Sequence, residues 1–405
     1  MPEVAPTARA VPHSRIRELA DVAMRMDAAA RTPDERVLRL FFGESNLPTP
    51  VFLKEAAHRA MLDGYTMYTE NAGLPSLRRA LALHYERLQG VALDPASEIV
   101  VTNSGVQALN VGIRCALDPG DEAIVLTPAW PNQSSNVSLC NATPREIPLV
   151  LNDGRYAVDF DALEAAVTPR TRLLIYTSPS NPLGWVATVE EQQRLLDFTR
   201  RHGLWMLADE VYERLWYDGS RPLGAPAPSI LKLATREDAV MVAQSFSKSY
   251  CMTGWRVGWL VARADLAERA TQLNEFIISC APSFVQKTAE IALAGGEESL
   301  REMLVLYKTN RDFCVDAFRG MPGVRLPSPD GAFYVFPRID GLTDSFGFCE
   351  RLLRETRVGL APGVAFGAGG EGSIRLCYAV ETEILEAALA RIGAFVERTL
   401  STRAA

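Results

Sequence analysis

Between about residues 98 and 262 the chain repeats one pattern: a short apolar run, a few polar or turn-forming residues, then a stretch of helical period. The runs are EIVVT (98–102), AIVLT (123–127), LLIYT (173–177), LWMLA (204–208), AVMVAQ (239–244) and VGWLV (257–261). Parallel strands need a long crossover between them, usually a helix, so this alternation predicts an α/β core on a largely parallel sheet. One intervening helix carries its own punctuation. Thr188 and Glu191 form a capping box at its start, and Gly203 supplies a stop. Thr49-Pro50 and Leu74-Pro75 open two further helical patterns, with proline expected in the first turn.

Beyond residue 300 the texture changes. A long polar helix is expected over 298–319, short strands around 332–336 and 373–379, and an amphipathic closing helix with Ile384, Leu385, Ala388, Leu389, Ile392 and Val396 on its apolar face. This reads as a smaller α+β domain, joined by the start of the chain. The expected division is an N-terminal segment 1–45, a large α/β domain 46–295 and a small domain 296–405.

The length of 405 residues and a 48% hydrophobic content allow a sizeable core. A net charge of −7, with no local basic run, argues against nucleic-acid binding. No run approaches the eighteen or so apolar residues of a membrane span. The first residues, MPEVAPTARAVPHSR, lack the apolar centre of a secretory signal. Seven cysteines without CxxC spacing and four scattered histidines suit reduced thiols in a cytoplasmic protein rather than a disulfide frame or a metal centre.

In an open parallel sheet, ligands bind beyond the carboxyl ends of the strands. After EIVVT, Ser104-Gly105-Val106 opens a helix whose first N–H groups and dipole suit a phosphate. SPSNPLG follows LLIYT and aims the Asn181 amide inward. LWMLA is followed by Asp209, a carboxylate that burial would penalise unless it were paired, and by Tyr212. AVMVAQ leads into SFSKSYCMTGWRVG, in which Lys248 lies among Ser245, Ser247 and Ser249, with Arg256 downstream. A lysine beside anion-binding groups fits a Schiff base to a phosphorylated aldehyde cofactor. Together the strand ends offer a phosphate cradle, an amide, a carboxylate with a phenol, and an amine with an arginine. That set matches pyridoxal 5'-phosphate.

The ordered motifs GESNLPTP, YTENAGLPSLRRAL, VTNSGVQAL, TPAWP, SPSNPLG, ADEVYERLWYDG, SFSKSYCMTGWRVGW, GAFYVFP, PGVAFG and SIRLCYA resemble the class I/II aminotransferases of fold type I, from about residue 38 to the C-terminus. The resemblance implies a mainly parallel seven-stranded sheet flanked by helices and a smaller α+β domain. It implies a homodimer with shared sites, acting on an amino acid and a 2-oxo acid. Lys248 would be the Schiff-base lysine and proton shuttle, Asp209 the partner of the ring nitrogen, and Asn181 and Tyr212 the partners of the ring oxygen. Trp130 would stack on the ring. Ser104, Gly105 and Val106, Ser245, Ser247, Arg256 and a Tyr68 reaching from the other subunit would hold the phosphate end. Arg375 would grip the substrate α-carboxylate, and Gly43 would allow close approach of substrate. The reaction implied is ping-pong: Lys248 moves the α-proton, one 2-oxo acid leaves, and a second 2-oxo acid reverses the cycle.

Several residues depart from the family's pattern. Leu183 stands where threonine is common, Trp185 is bulkier than usual, and Ser249 and Cys251 vary the lysine loop. Val106 takes the place of a lysine that holds a distal carboxylate in some aspartate-type members, which favours a neutral or aromatic donor; an aspartate-type aminotransferase is the second alternative, with its cation supplied by the partner subunit or the N-terminal segment. Glu70, beside Tyr68, would instead suit a cationic side chain, or is a solvated loop charge. A pyridoxal-dependent lyase on the same scaffold is the alternative chemistry, although Met252-Thr253-Gly254-Trp255 looks more aminotransferase-like. A ligand-sensing regulator would need a DNA-binding module that the residues ahead of the resemblance do not suggest. Gly367, Gly369 and Gly372 spell GxGxxG, but they precede a strand rather than joining strand to helix, and read as a turn.

Overall fold

The computed structural model describes residues 2–9 and 11–404. Seven strands form the main sheet in the order Ile99–Thr102, Gly258–Ala262, Val240–Ser245, Trp205–Asp209, Thr171–Thr177, Glu122–Thr127 and Thr143–Pro148. Each of the six apolar runs has become one of these strands. Strands covered on both faces read as continuous apolar runs, and every residue of Ile99–Thr102, Glu122–Thr127, Val240–Ser245 and Gly258–Ala262 is buried. One apolar cluster packs on one face, with Phe198, Tyr85 and Trp259, and a second on the other, with Ile113, Val137 and Leu266.

Two features of the sheet were not anticipated from the sequence. Gly258–Ala262 runs antiparallel to both of its neighbours, so the sheet is mixed although mostly parallel. The seventh strand, Thr143–Pro148, is the half-exposed segment TPREIP at the edge, where two prolines are tolerated and no apolar run betrays a strand.

The helix boundaries follow local chemistry. Val189–His202 starts on the full Thr188–Glu191 capping box and stops at Gly203 in the left-handed region. Pro75 is the first residue of its helix as expected, whereas Pro50 stands one position earlier, as the cap of Val51–Leu62. The GxGxxG segment is a turn, with all three of its motif glycines at positive φ, ahead of the strand Ile374–Cys377. Among the described residues no helix is long and apolar enough to cross a membrane.

A second, three-stranded sheet places Ile374–Cys377 between Tyr334–Val335 and Ala361–Pro362. The helices Glu297–Arg319, Ser345–Thr356 and Thr382–Ala404 surround it. Leu38–Arg39 pairs in parallel with Val358–Gly359, which ties an early segment to this sheet. A third apolar cluster fills this region and also takes in Tyr212, Leu215 and Tyr217, from the segment that leaves the end of Trp205–Asp209. The carboxyl edge of the main sheet therefore faces the small sheet directly.

Gly258 fixes how closely strand and helix approach at that edge. A Cβ there would stand 2.5 Å from the Gln244 carbonyl oxygen and 2.6 Å from the Gly105 nitrogen. We expect Gly258→Ala to lower stability by about 1–3 kcal/mol, the usual cost of overpacking, read as a lower urea midpoint with an unchanged slope.

Candidate active site

Lys248 sits in a short helical turn, Phe246–Ser249, immediately after the strand Val240–Ser245. The Ser245 hydroxyl caps that turn by accepting from the Ser247 N–H, and donates to the Ser247 hydroxyl at 2.8 Å. The lysine side chain crosses to the other half of the molecule, where Nζ donates to the Gly43 carbonyl at 2.6 Å. The rings of Tyr212 and Phe333 each lie 5.7 Å from the same nitrogen. Burial pushes the Lys248 pKa down to about 8, against the opposing influence of Cys377, Glu44 and Asp209; Arg375 adds to the fall.

Asp209 ends its strand only 2% exposed. Burial pushes its carboxyl up to about 6, partly offset by the Val211 N–H, by Gln133 and by the charge of Lys248. Gln133 Nε2 lies 3.4 Å from Asp209 Oδ2 and also donates to the Thr177 hydroxyl.

The remaining inward-facing candidates form one connected set. Tyr212 and Tyr334 meet hydroxyl to hydroxyl at 2.7 Å. Arg375, 2% exposed, lies with its guanidinium carbon 4.5 Å from the Tyr334 ring centroid and 4.8 Å from that of Phe366. Its Nη1 donates to Asn181 Oδ1 at 2.8 Å and its Nη2 to the Phe41 carbonyl, while Nε is buried without a protein partner. Lys248, Gly43, Tyr212, Asn181 and Arg375 are thus drawn together from five separate stretches of sequence.

The opposite end of the site is the start of the helix Gly105–Ala116, where the first N–H groups lack intrahelical partners. Ser104 caps it in the left-handed region, at φ 105°. An added Cβ on Gly105 would press on Ser245 Cβ and Val211 Cγ1, each 3.2 Å away, so this helix end abuts the lysine turn. Val106 is half-buried in the first turn. Arg256 is exposed, donates from Nη1 to the Thr253 carbonyl at 2.6 Å, and lines a cleft of about 670 Å³ with Glu44, Asn103 and Phe284. Trp130 is half-buried against the sheet, past the end of Glu122–Thr127. Tyr68 projects outward, 88% exposed.

Gln133, Phe333 and Tyr334 were not singled out from the sequence. Gln133 lies a few residues past the end of Glu122–Thr127, the kind of position that also marks Asp209. Tyr334 lies inside the motif GAFYVFP, but nothing local marks its hydroxyl as special.

The Asp209 shift has a definite sign. Its folded pKa of about 6 exceeds the ordinary 3.8, so the folded state holds the extra proton in that window and stability falls as pH rises through it. In ligand-free protein, Asp209→Asn should therefore be the more stable form above about pH 6, by a few kcal/mol, with the gap closing by about pH 4. Urea unfolding across that range reads the effect.

With this geometry in place, comparison with known proteins gives a consistent result. The family model for aminotransferase class I and II matches residues 39–392. The chain is 33% identical to an aspartate aminotransferase of Pyrococcus horikoshii, covering 94% of each chain. It is also 33% identical to an aromatic-amino-acid aminotransferase of Thermococcus litoralis, again over 94% of each. Among solved structures, an aromatic aminotransferase from Pyrococcus horikoshii superposes with a TM-score of 0.84 at 34% identity, covering 96% of this chain and 99% of that one. The chain belongs to the class I and II aminotransferases, and it is an enzyme that transfers amino groups.

Proposed function

We propose that this aminotransferase holds pyridoxal 5'-phosphate at Lys248 and moves the amino group of an L-amino acid with a neutral or aromatic side chain to a 2-oxo acid. The observation that carries the proposal is the half-buried Lys248, whose amine is bonded to Gly43 and coupled electrostatically to the buried carboxylate of Asp209. Members of the family use this cofactor, and the residues fit it. The close approach of Gly105, Ser245 and Gly258 leaves room for no side chain at the helix start, as a phosphate cradle requires. The orphan Arg375 Nε is a buried donor in want of an acceptor.

Lys248, Asp209, Tyr212 and Asn181 form the catalytic set in this reading. Ser104, Gly105, Val106, Ser245, Ser247 and Arg256 take the phosphate end, Trp130 takes the ring face, and Tyr68 is supplied by a second subunit. When bound, the cofactor supplies an aldehyde carbon and an electron-withdrawing ring. Lys248 Nζ, with a pKa of about 8, is matched to taking the donor's α-proton and giving it back near neutral pH. Asp209 holds a proton at the ring nitrogen. Asn181 Oδ1 is already occupied by Arg375, which leaves the Asn181 amide N–H groups to donate to the ring oxygen beside Tyr212. Arg375 Nε binds the α-carboxylate, and the aromatic walls around it keep water away from that ion pair.

The donor preference rests on the same walls. Tyr212, Phe333, Tyr334 and Phe366 present apolar faces to the amine and guanidinium, and Val106 offers nothing to pair with a distal carboxylate. Relatives with aspartate and with aromatic names are equally similar to this chain, and Val106 and the aromatic rings support the neutral or aromatic class. Free cysteines, four of them buried, support a reducing, cytoplasmic setting. The proposed units are 1–45 and 296–405 around the small sheet, and 46–295 around the large one. The pairing of Leu38–Arg39 with Val358–Gly359 supports joining the first two.

Titrating the purified, cofactor-loaded protein with single amino acids and then 2-oxo acids tests the proposal. An aromatic or neutral amino acid should shift the visible band to the amine form, and a 2-oxo acid should restore it. Conversion by aspartate alone would overturn the donor class. Ammonia release without any need for a 2-oxo acid would identify a lyase. The outward Tyr68, at 88% exposure, and the nearby Met67 (78%) support a homodimer. Sedimentation equilibrium should give twice the 44.4 kDa chain mass.

A further inference from the structure

Tyr334 touches three parts of the site at once. It lies fully buried in the short strand Tyr334–Val335, paired with Cys377 across the small sheet. Its hydroxyl is 2.7 Å from that of Tyr212, and its ring underlies the Arg375 guanidinium at 4.5 Å. Its hydroxyl also occupies the space a side chain at Gly43 would need, since an added Cβ would stand 2.3 Å from it. Gly43 in turn offers its carbonyl to Lys248 Nζ.

Two facing phenols share one hydrogen bond, and the one that donates cannot spend the same proton elsewhere. If Tyr212 donated to Tyr334, it would have no proton left for a ligand. We infer that Tyr334 is a positioning residue that donates its hydroxyl proton to Tyr212, so that the Tyr212 proton is reserved for the cofactor's ring oxygen. The inference rests on the cofactor reading above. A donor that itself accepts a hydrogen bond is a stronger donor, so the pair acts as a relay of two O–H groups. The charged and titratable groups facing the pair are Arg375, Asp209, Cys377 and Lys248, whose Nζ lies 5.7 Å from the Tyr212 ring. The packing of Tyr334 between Gly43 and Arg375 gives its ring no freedom to swing the hydroxyl away. Tyr334 thereby links the ring-oxygen end of the site to the carboxylate grip.

The test uses the pyridoxal-phosphate holoenzyme and reads its visible absorbance against pH. A donor to the ring oxygen stabilises the oxygen's anion, which lowers the pH at which the Lys248-linked nitrogen gives up its proton. Removing the relay should raise the midpoint. We expect Tyr334→Phe, which deletes one hydroxyl and keeps the ring, to raise it by about half a pH unit. Tyr212→Phe should raise it further, and Tyr334→Phe should add nothing in the Tyr212→Phe background. Gly43→Ala, which displaces the same hydroxyl by crowding, should reproduce the upward shift and provides a second, independent variant. An unchanged midpoint in Tyr334→Phe overturns the inference, as does an equal shift with and without the Tyr212 hydroxyl. A parent protein that shows no visible band with added cofactor overturns both this inference and the reading it rests on, so the two failures are distinguishable.

Discussion

The enclosure of the half-buried Lys248 and the buried Asp209 at one edge of the main sheet is the constraint around which the rest of the site is arranged. Burial penalises the charged form of each, so the amine falls to about 8 and the carboxyl rises to about 6. Their mutual attraction offsets only part of the penalty, and the surrounding groups supply the remainder. The Gly43 carbonyl accepts from the amine, and Gln133 and the Val211 N–H approach the carboxylate. Two of these partners are themselves constrained: the Tyr334 hydroxyl fills the space beside Gly43, and Gln133 is bonded to Thr177. The main sheet could not enclose these groups alone: Lys248 and Asp209 stand at its carboxyl edge, Tyr334 lies in the smaller sheet, and Gly43 lies in the segment that follows Leu38–Arg39.

The same logic explains the single buried arginine of the site. Arg375 has two of its donors occupied by Asn181 and Phe41, and its planar face is covered by two aromatic rings. The third direction, through Nε, is left unsatisfied. A guanidinium pinned on two sides and open on one recognises a ligand by geometry, since it cannot turn to meet a misplaced carboxylate.

What was legible in the sequence follows from how local each signal is. A buried parallel strand announces itself by its own residues, so the six apolar runs of the main sheet were readable, and the residues after them gave Asn181, Asp209 and Lys248. Thr143–Pro148 was not readable, because an edge strand with one partner needs no apolar run. The direction of Gly258–Ala262 was hidden for a different reason: strand composition carries no sign. Contacts between remote segments were the least visible. Lys248 meets Gly43 across 205 positions, Arg375 meets Asn181 across 194, and Tyr334 meets Tyr212 across 122. Only the family resemblance drew Arg375 and Gly43 into the site, and it assigned no role to Tyr334.

The antiparallel strand bears on the order in which a chain leaving the ribosome can assemble. Ile99–Thr102 stands at the edge of the sheet, and the neighbour that joins it to the rest is Gly258–Ala262, made long after it. Until that late strand emerges, the early one has no partner in the sheet, and such long-range pairing is slow. The late strand also seats the start of Gly105–Ala116, through the close fit at Gly258, and it follows directly on the lysine turn. The start of Gly105–Ala116 and the turn that carries Lys248 therefore reach their final fit only after that late strand has been made.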